Sequence, residues 1–174
     1  MFIESKKVGL REVRREDLEL FKSWRNVEHD TRNYRTIGPL TTENQEWYWK
    51  NVVNNPDKHK VFTVVKNDTL AVIGEIRLSN INLLDGDAEI GILLNPKFRG
   101  QGYGSEALKL IVSFGFNRLR LHRIEAQYII SNTSSQRLFE SCGFKLDGVR
   151  RESKYFDGKY NDVVMVSLLE REVR

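Results

Sequence analysis

The sequence has few of the residues that cross-link small proteins or bind metals. Among its 174 residues is a single cysteine, Cys142, which excludes an internal disulfide and a cysteine-rich metal site. The three histidines are far apart and follow no metal-ligand spacing, so we expect no metal: His29, His59 and His122. No apolar run reaches the roughly 18 residues of a membrane helix, and the N-terminal residues lack the apolar segment of a signal peptide. We therefore expect a cytoplasmic protein.

Strong charge of either sign is also missing. The chain has 28 basic and 24 acidic residues, a net charge of +4, and no basic block interleaved with aromatic residues. This balance does not predict a nucleic-acid-binding protein. The length and a hydrophobic fraction of 40% are ordinary for a single globular domain, which we expect to span residues 1–174.

The most informative stretch runs from residue 88 to residue 116. Residues 88–94 are almost continuously apolar and predict a strand, which Asn95-Pro96 ends because proline cannot donate to a sheet. A glycine-rich turn follows at residues 99–104. After it, apolar residues recur at helical spacing and predict a helix with one buried face: Ala107, Leu110, Ile111 and Phe114.

A glycine-rich turn that opens a helix suits an anion. The first N–H groups of a helix have no internal partner, the helix dipole adds positive charge there, and glycines let an anion come close to the backbone. The loop lacks the Gly-Lys-Ser/Thr of a P-loop, and its G-x-G-x-G spacing differs from the dinucleotide fingerprint. Arg99 can add a charge-assisted contact. The alternative is a structural turn without a ligand.

The rest of the chain predicts alternating strands and helices. Strands are expected at residues 8–13, 61–65, 70–78, 123–130, 144–151 and 162–169. Helices are expected from Leu18 to about Asn26, from Thr42 to about residue 53, and at residues 134–141. Thr42 with Gln45 three residues later fits a capping box, so we predict Thr42 as the N-cap of the second helix.

Two motifs together resemble the GNAT N-acetyltransferases. The first is R-x-x-G-x-G at residues 99–104, and the second is N-x-x-S-x-x-L-F-x-x-x-G-F at residues 132–144. The resemblance covers nearly the whole chain. It implies an α/β fold: a mixed central sheet of about seven strands, helices on both faces, and a splay between two central parallel strands at residues 88–94 and 123–130. Residues 148–162 are similar to the branch that holds ribosomal-protein N-terminal and spermidine acetyltransferases.

The resemblance implies that acetyl-CoA is the acyl donor and assigns residues to it. The loop and first helical turn would bind the CoA pyrophosphate: Arg99, Gly100, Gln101, Gly102, Tyr103, Gly104 and Ser105. The backbone of the preceding strand would pair with pantetheine: Ile92, Leu93 and Leu94. Asn132 would hydrogen-bond the pantetheine amides. Arg137 would reach a CoA phosphate or, equally well, lie in solvent.

The implied reaction is direct attack of an amine on the thioester. Glu89, a lone acid in an apolar strand, is the candidate general base; the alternative is a structural acid paired with Arg77. Many family members have a tyrosine acid at the position of Phe139, which cannot donate a proton. The resemblance then points to Ser135 as the acid, and the alternative is a helix-capping role.

The sequence says least about the acceptor, the molecule that would receive the acetyl group. We expect a primary amine, and we place a protein α-amine ahead of a polyamine or amino sugar because an α-amine with a pKa of about 7.7–8.0 is already partly neutral at pH 7. Tyr34, Arg35 and Trp47 are the candidate acceptor-binding residues. The rival from another class is a non-catalytic acyl-CoA sensor. We expect a monomer or a homodimer.

Overall fold

Residues 1–27, 39–156 and 158–173 are described by a computed structural model, and they form one eight-stranded sheet with helices on both faces. In chain order the elements are β1 (Ile3–Glu4), β2 (Val8–Glu12), α1 (Arg15–Val27), α2 (Thr42–Tyr48), β3 (Lys60–Lys66), β4 (Val72–Asn82), β5 (Asp87–Leu94), α3 (Tyr103–Arg118), β6 (Arg123–Ile129), α4 (Thr133–Ser141), β7 (Lys145–Phe156) and β8 (Lys159–Leu169). A π-helical turn at Trp49–Val53 extends α2, and short 3₁₀ turns lie at Pro96–Phe98 and Glu170–Glu172.

The strand order in the sheet is β1-β2-β3-β4-β5-β6-β8-β7. Every neighbouring pair is antiparallel except β5 and β6, which are parallel. The predicted α/β class, mixed sheet and order of elements are confirmed. The sheet has one strand more than expected, because β1 has only two residues and is too short to show any periodicity in the sequence.

The parallel pair opens after three residue pairs. β5 and β6 are in register at Asp87 with Arg123, Ala88 with Ile124, and Glu89 with Glu125, and their pairing stops there. β5 nevertheless continues to Leu94, bonded on its other side to β4, and β6 continues to Ile129, bonded to β8. A gap therefore separates the second halves of the two central strands, which is the predicted splay.

Two clusters of buried side chains hold the layers together. The larger one packs α3 against the sheet, and Ala107 and Ile111, predicted for the buried face of α3, are fully buried in it. The smaller one joins α1 to the other face through Leu18, Phe21 and Leu93. The opened strands are thus covered on one face by α3 and supported on the other by α1 and α2.

The capping prediction for α2 is wrong by one residue. The N-cap is Thr41, whose hydroxyl accepts the N–H of Asn44 at 3.3 Å, while the Asn44 side chain accepts the N–H of Thr41 at 2.9 Å. Gln45 is buried and donates instead to the carbonyl of Leu18 at 2.6 Å. Only Thr42 fits the usual pattern in sequence, since Thr41 is followed by Asn44 at that spacing, and the contact with α1 takes Gln45 away from the cap.

No helix in the described ranges is long and apolar enough to cross a membrane. Within the same ranges, no three His, Cys, Asp or Glu side chains come together in a group that could hold a metal ion.

Candidate active site

The rim of the gap is formed by backbone groups of β5. The Asn95 N–H donates to the Ile73 carbonyl at 2.9 Å. In an antiparallel pair, every second residue of a strand hydrogen-bonds to the same neighbouring strand. Leu93, two residues before Asn95, is therefore bonded to its register partner Glu75 on β4. The backbone groups of Ile92 and Leu94 then point away from β4, towards the gap. The predicted pairing with pantetheine stays a prediction for Ile92 and Leu94, but Leu93 has its backbone engaged with β4 and its side chain buried.

The glycine-rich loop has the backbone geometry of an anion site. Gly100 and Gly102 have φ values of +71° and +85°, in the left-handed region that favours glycine. Gly102 is the N-cap of α3, and its carbonyl accepts the first helical hydrogen bond, from the Glu106 N–H at 3.2 Å. The N–H groups of residues 103–105 therefore have no partner within the helix and face the space before it.

The loop is fixed by its neighbours. A Cβ on Gly104 would lie 3.0 Å from a methyl carbon of Leu94, so the start of α3 packs directly on the end of β5. Tyr103 is buried with its ring edge-on to Phe98. The thiol of Cys142, at the end of α4, lies 3.8 Å from the Ser105 carbonyl. These contacts hold the first turn of α3 in one place.

Two cations lie near the loop, Arg99 and Lys7, and the predicted contact of Arg99 with the CoA pyrophosphate stays a prediction. The Arg99 guanidinium donates to the Leu94 carbonyl at 2.9 and 3.2 Å, so it caps the end of β5. Lys7 was not predicted, yet its ammonium lies 3.5 Å from the Gln101 carbonyl, and its N–H donates to Glu106. No sequence pattern near Lys7 indicates this role, because 94 residues separate it from Gln101.

The second motif forms the start of α4. Asn132 is the N-cap, and its side-chain oxygen accepts the Ser135 N–H at 3.0 Å. The capping role considered for Ser135 therefore belongs to Asn132, and Ser135 is half-buried in the first turn. Arg137 is exposed. Whether Ser135, Asn132 and Arg137 contact CoA stays a prediction.

Phe139 is part of the core. It is 5% exposed, stacks on Tyr128 with ring centroids 6.1 Å apart, and meets Phe144 edge-on at 5.1 Å. The nearest aromatic hydroxyl in this stack is that of Tyr128 on β6, and burial raises the pKa of that hydroxyl, as does the charge of Glu140.

Glu89 lies where the gap begins, as the last residue of β5 paired with β6. It is half-buried, and its carboxylate accepts hydrogen bonds from two side-chain amides, Gln127 at 2.9 Å and Asn80 at 3.4 Å. Asn80 has a φ of +53°, within the irregular part of the pairing of β4 with β5. In the described part of the chain Glu89 has no ion pair, because Arg77 pairs with Glu75 instead.

A buried charged cluster lies on the same face and was not predicted. Glu75 is 1% exposed and accepts the Tyr48 hydroxyl at 2.6 Å, Arg77 at 2.7 Å and Arg25 at 3.3 Å. Burial alone would raise the pKa of Glu75, but the two guanidinium charges and the Tyr48 hydrogen bond outweigh it and lower that pKa. Burial raises the pKa of Tyr48, and the Glu75 charge raises it further.

The predicted acceptor residues are only partly described. Trp47 lies on α2 and is 63% exposed, so it is not a core residue. Its neighbour Trp49 is held by Arg15, whose guanidinium carbon lies 5.0 Å from the ring centre. Tyr34 and Arg35 lie outside the described residues, and their role stays a prediction with that of Trp47.

Sequence comparisons find the same family over most of the chain. Residues 7–145 match the acetyltransferase (GNAT) domain. The chain is 32% identical over 172 residues to an uncharacterised N-acetyltransferase, p20, of Bacillus licheniformis, an alignment covering 97% of this chain and 96% of that protein. It is 28% identical over 128 residues to the spermidine N(1)-acetyltransferase of Vibrio cholerae, covering 74% and 72%.

Comparisons with solved structures also find acetyltransferases. The crystal structure of spermidine N-acetyltransferase from Vibrio cholerae with CoA and spermine superposes with a TM-score of 0.88 at 23% identity, covering 97% of this chain and 98% of that one, and shows the shared fold. A dodecameric structure of the same enzyme superposes with a TM-score of 0.81 at 25% identity, covering 95% of each chain. With its glycine-rich loop before α3, its opened parallel strands and these relatives, the chain belongs to the GNAT family of N-acetyltransferases.

Proposed function

We propose that this protein transfers an acetyl group from acetyl-CoA to a primary amine by direct attack in a ternary complex. The observation that carries the proposal is the gap that opens immediately after Glu89, on a strand that ends at the anion loop. A single extended cofactor fits this order: its pyrophosphate at the start of α3, its pantetheine along Ile92 and Leu94, and its thioester near Glu89.

The residues around the gap supply each part of the reaction. Glu89 takes a proton from the acceptor amine, directly or through water, while Gln127 and Asn80 hold its carboxylate in place. The amine nitrogen bonds to the acetyl carbon, the carbon–sulfur bond breaks, and CoA leaves as a thiolate that takes up a proton, for which Ser135 is the candidate donor. A gap-facing N–H of β5 stabilises the charge that develops on the acetyl oxygen.

The acceptor classes within this proposal are a protein α-amine, a polyamine and a small-molecule amine such as an amino sugar. The names of the Vibrio cholerae relatives favour a polyamine. The lower pKa of an α-amine favours a protein N-terminus, because less of the work of deprotonation falls on Glu89.

The first prediction tests catalysis and Glu89 together. Release of free CoA thiol from acetyl-CoA is followed at pH 7 and pH 9 with peptides, free amino acids, spermidine, an aminoglycoside and amino sugars. We expect turnover with at least one class, and a loss of about 10²–10⁴-fold in kcat/KM for Glu89→Gln because the amide cannot accept the proton.

The matched control is Glu125→Gln. Glu125 is the register partner of Glu89, but it is exposed and paired with Arg123 at 2.7 Å, so its loss should leave the rate close to that of the wild type. Equal losses in both variants would contradict the role of Glu89. Binding of acetyl-CoA without turnover of any amine would favour the acyl-CoA sensor.

A further inference from the structure

The sheet face beside Glu89 carries a cation that the proposed reaction does not use. Arg77 on β4 is in register with Gly91 on β5. Its guanidinium lies over that glycine, with Cζ and Nη2 3.3 Å and Nε 3.4 Å from the position that a Cβ would occupy. Glu89 is two residues before Gly91, so its Cα lies about 6.5–7 Å away along the same strand face.

The hydrogen-bonding capacity of Arg77 is only partly used. It donates to Glu75 through Nη1 at 2.7 Å, and within the described ranges its Nε and Nη2 make no hydrogen bond. The side chain is 32% exposed. Glu75 is shared, because it also accepts hydrogen bonds from Tyr48 and from Arg25. Arg77 therefore has donors left for an acceptor from outside the chain.

The neighbouring His59 also lies in the positive potential of Arg77. His59 directly precedes β3, whose Val61 is in register with Arg77. Burial lowers the pKa of His59, and the charge of Arg77 lowers it further. Its Nδ1 is buried and has no hydrogen-bond partner in the part of the chain that the structure describes. The face around Arg77 thus offers a positive charge to a ligand, through the partly exposed guanidinium.

We infer that Arg77 binds a carboxylate of the acceptor, so that the acceptor is a free amino acid or a similar small amine with a carboxylate a few bonds from its nitrogen. This inference rests on the proposed function. With the amine at Glu89 and the carboxylate at Arg77, the two charges of such an acceptor meet opposite charges, one on β5 and one on β4 over Gly91, on the same face of the sheet. The planar guanidinium fork matches a carboxylate. A polyamine would place a second ammonium against Arg77, which like charges oppose.

The test compares acceptors that differ only in the carboxylate. Alanine is paired with ethylamine and phenylalanine with phenethylamine, with the amino-acid amides as neutral analogues and spermidine alongside. Because a charge-assisted hydrogen bond contributes about 1.5–3 kcal/mol, we expect the wild type to prefer the acid of each pair by about 10–100-fold in kcat/KM.

Variants assign that preference to Arg77. In Arg77→Gln the KM for the amino acid should rise by about tenfold or more, while the KM for the amine without a carboxylate should not change. Arg77→Lys should recover part of the lost affinity for the amino acid. Arg118→Gln, at the exposed end of α3, is the control. Thermal unfolding checks that each variant is folded, and the wild-type acceptor pairs test the inference without any variant.

The outcomes separate this inference from the proposed function. Preference for spermidine or for the amines without a carboxylate, or an equal loss for both members of a pair in Arg77→Gln, overturns the inference and leaves the acetyltransferase proposal standing. Absence of turnover with every amine, while acetyl-CoA binds, overturns both.

Discussion

Two carboxylates on one face of the sheet, Glu75 and Glu89, have opposite surroundings. Glu75 is buried between two guanidinium groups and a tyrosine hydroxyl, whereas Glu89 is half-buried and held by neutral amides. A carboxylate fixed by two cations stays ionised and is a poor proton acceptor. Glu89 is therefore the one of the two that we propose for proton transfer, whereas Glu75 joins α1, α2 and β4.

The stability prediction concerns Glu75. Glu75→Gln leaves two guanidinium groups without their buried carboxylate, and we expect a loss of roughly 3–5 kcal/mol in the free energy of unfolding, measured by urea denaturation at pH 7. Glu46→Gln removes a carboxylate from an exposed pair with Arg15, and the expected loss is about 0–1 kcal/mol. Similar losses in the two variants would contradict the prediction.

Comparison of Glu75→Gln with the wild type also gives a pH dependence of stability with a defined sign. The pKa of Glu75 in the folded protein lies below its ordinary value of 4.5. The stabilisation it contributes is therefore complete above pH 4.5 and is lost as the pH falls through the folded-state pKa. The difference in Tm between wild type and Glu75→Gln should shrink below pH 4.5, and a difference that grows there would show that the carboxylate is not stabilised by its cations.

Single residues were predictable from the sequence only where a local pattern marked them. Glu89 was visible as the lone acid of an apolar run, and Gly102 was visible from the spacing of the glycines. Lys7 and Gln127 were not, and Arg77 was considered only as a partner of Glu89, because each reaches the site through strand pairing or a loop contact between distant segments. Leu93 was assigned to the gap because the sequence does not say which residues of a strand bond to which neighbour.

At the scale of elements, β5, the glycine-rich loop and α3 act as one unit. The strand supplies the gap-facing backbone, the two left-handed glycines reverse the chain, and the helix presents its free N–H groups. The strand–turn–helix order was predicted correctly because proline and glycine fix it locally. The point at which β5 leaves β6 was expected only by resemblance, since no residue in either strand marks it.

The element-scale prediction compares two glycines with similar backbone angles. Gly102 has a φ of +85° in the loop, and Gly158 has a φ of +76° in the turn between β7 and β8. Gly102→Ala and Gly158→Ala should each cost about 1–2 kcal/mol of stability, because alanine disfavours the left-handed region.

Only Gly102→Ala should also weaken CoA binding, by about tenfold or more in a calorimetric titration, equivalent to about 1.4 kcal/mol. Its new Cβ would lie 3.4 Å from the Lys7 ammonium, and any relief of the strain would turn the N–H groups of residues 103–105. Equal CoA affinities for both variants would show that the loop does not bind the pyrophosphate.

At the scale of the whole molecule, both edges of the sheet are poorly suited to further strand pairing. β1 has two residues. β7 is longer, but its pairing with β8 shifts between Arg150 and Lys154, where charged residues follow one another and Glu152 has a φ of +49°. Bulges and charges on an edge strand oppose its extension by another chain.

We therefore expect a monomer or a homodimer, although the Vibrio cholerae enzyme has a dodecameric structure. Light scattering after size-exclusion chromatography should give a mass of 20.4 kDa or about twice that value. A mass near twelve chains would contradict this expectation and would indicate that other faces of the molecule form the contacts.

The position of Cys142 has a practical consequence for measurement. It is the only cysteine, it is half-buried, and its sulfur touches the first turn of the helix that would receive the cofactor. A thiol-reactive dye would therefore attach at a single site and act as a reporter of cofactor occupancy, through protection of that thiol when acetyl-CoA is added. The same thiol adds up to one equivalent per chain to any assay that counts liberated CoA with a thiol reagent, and that background has to be subtracted.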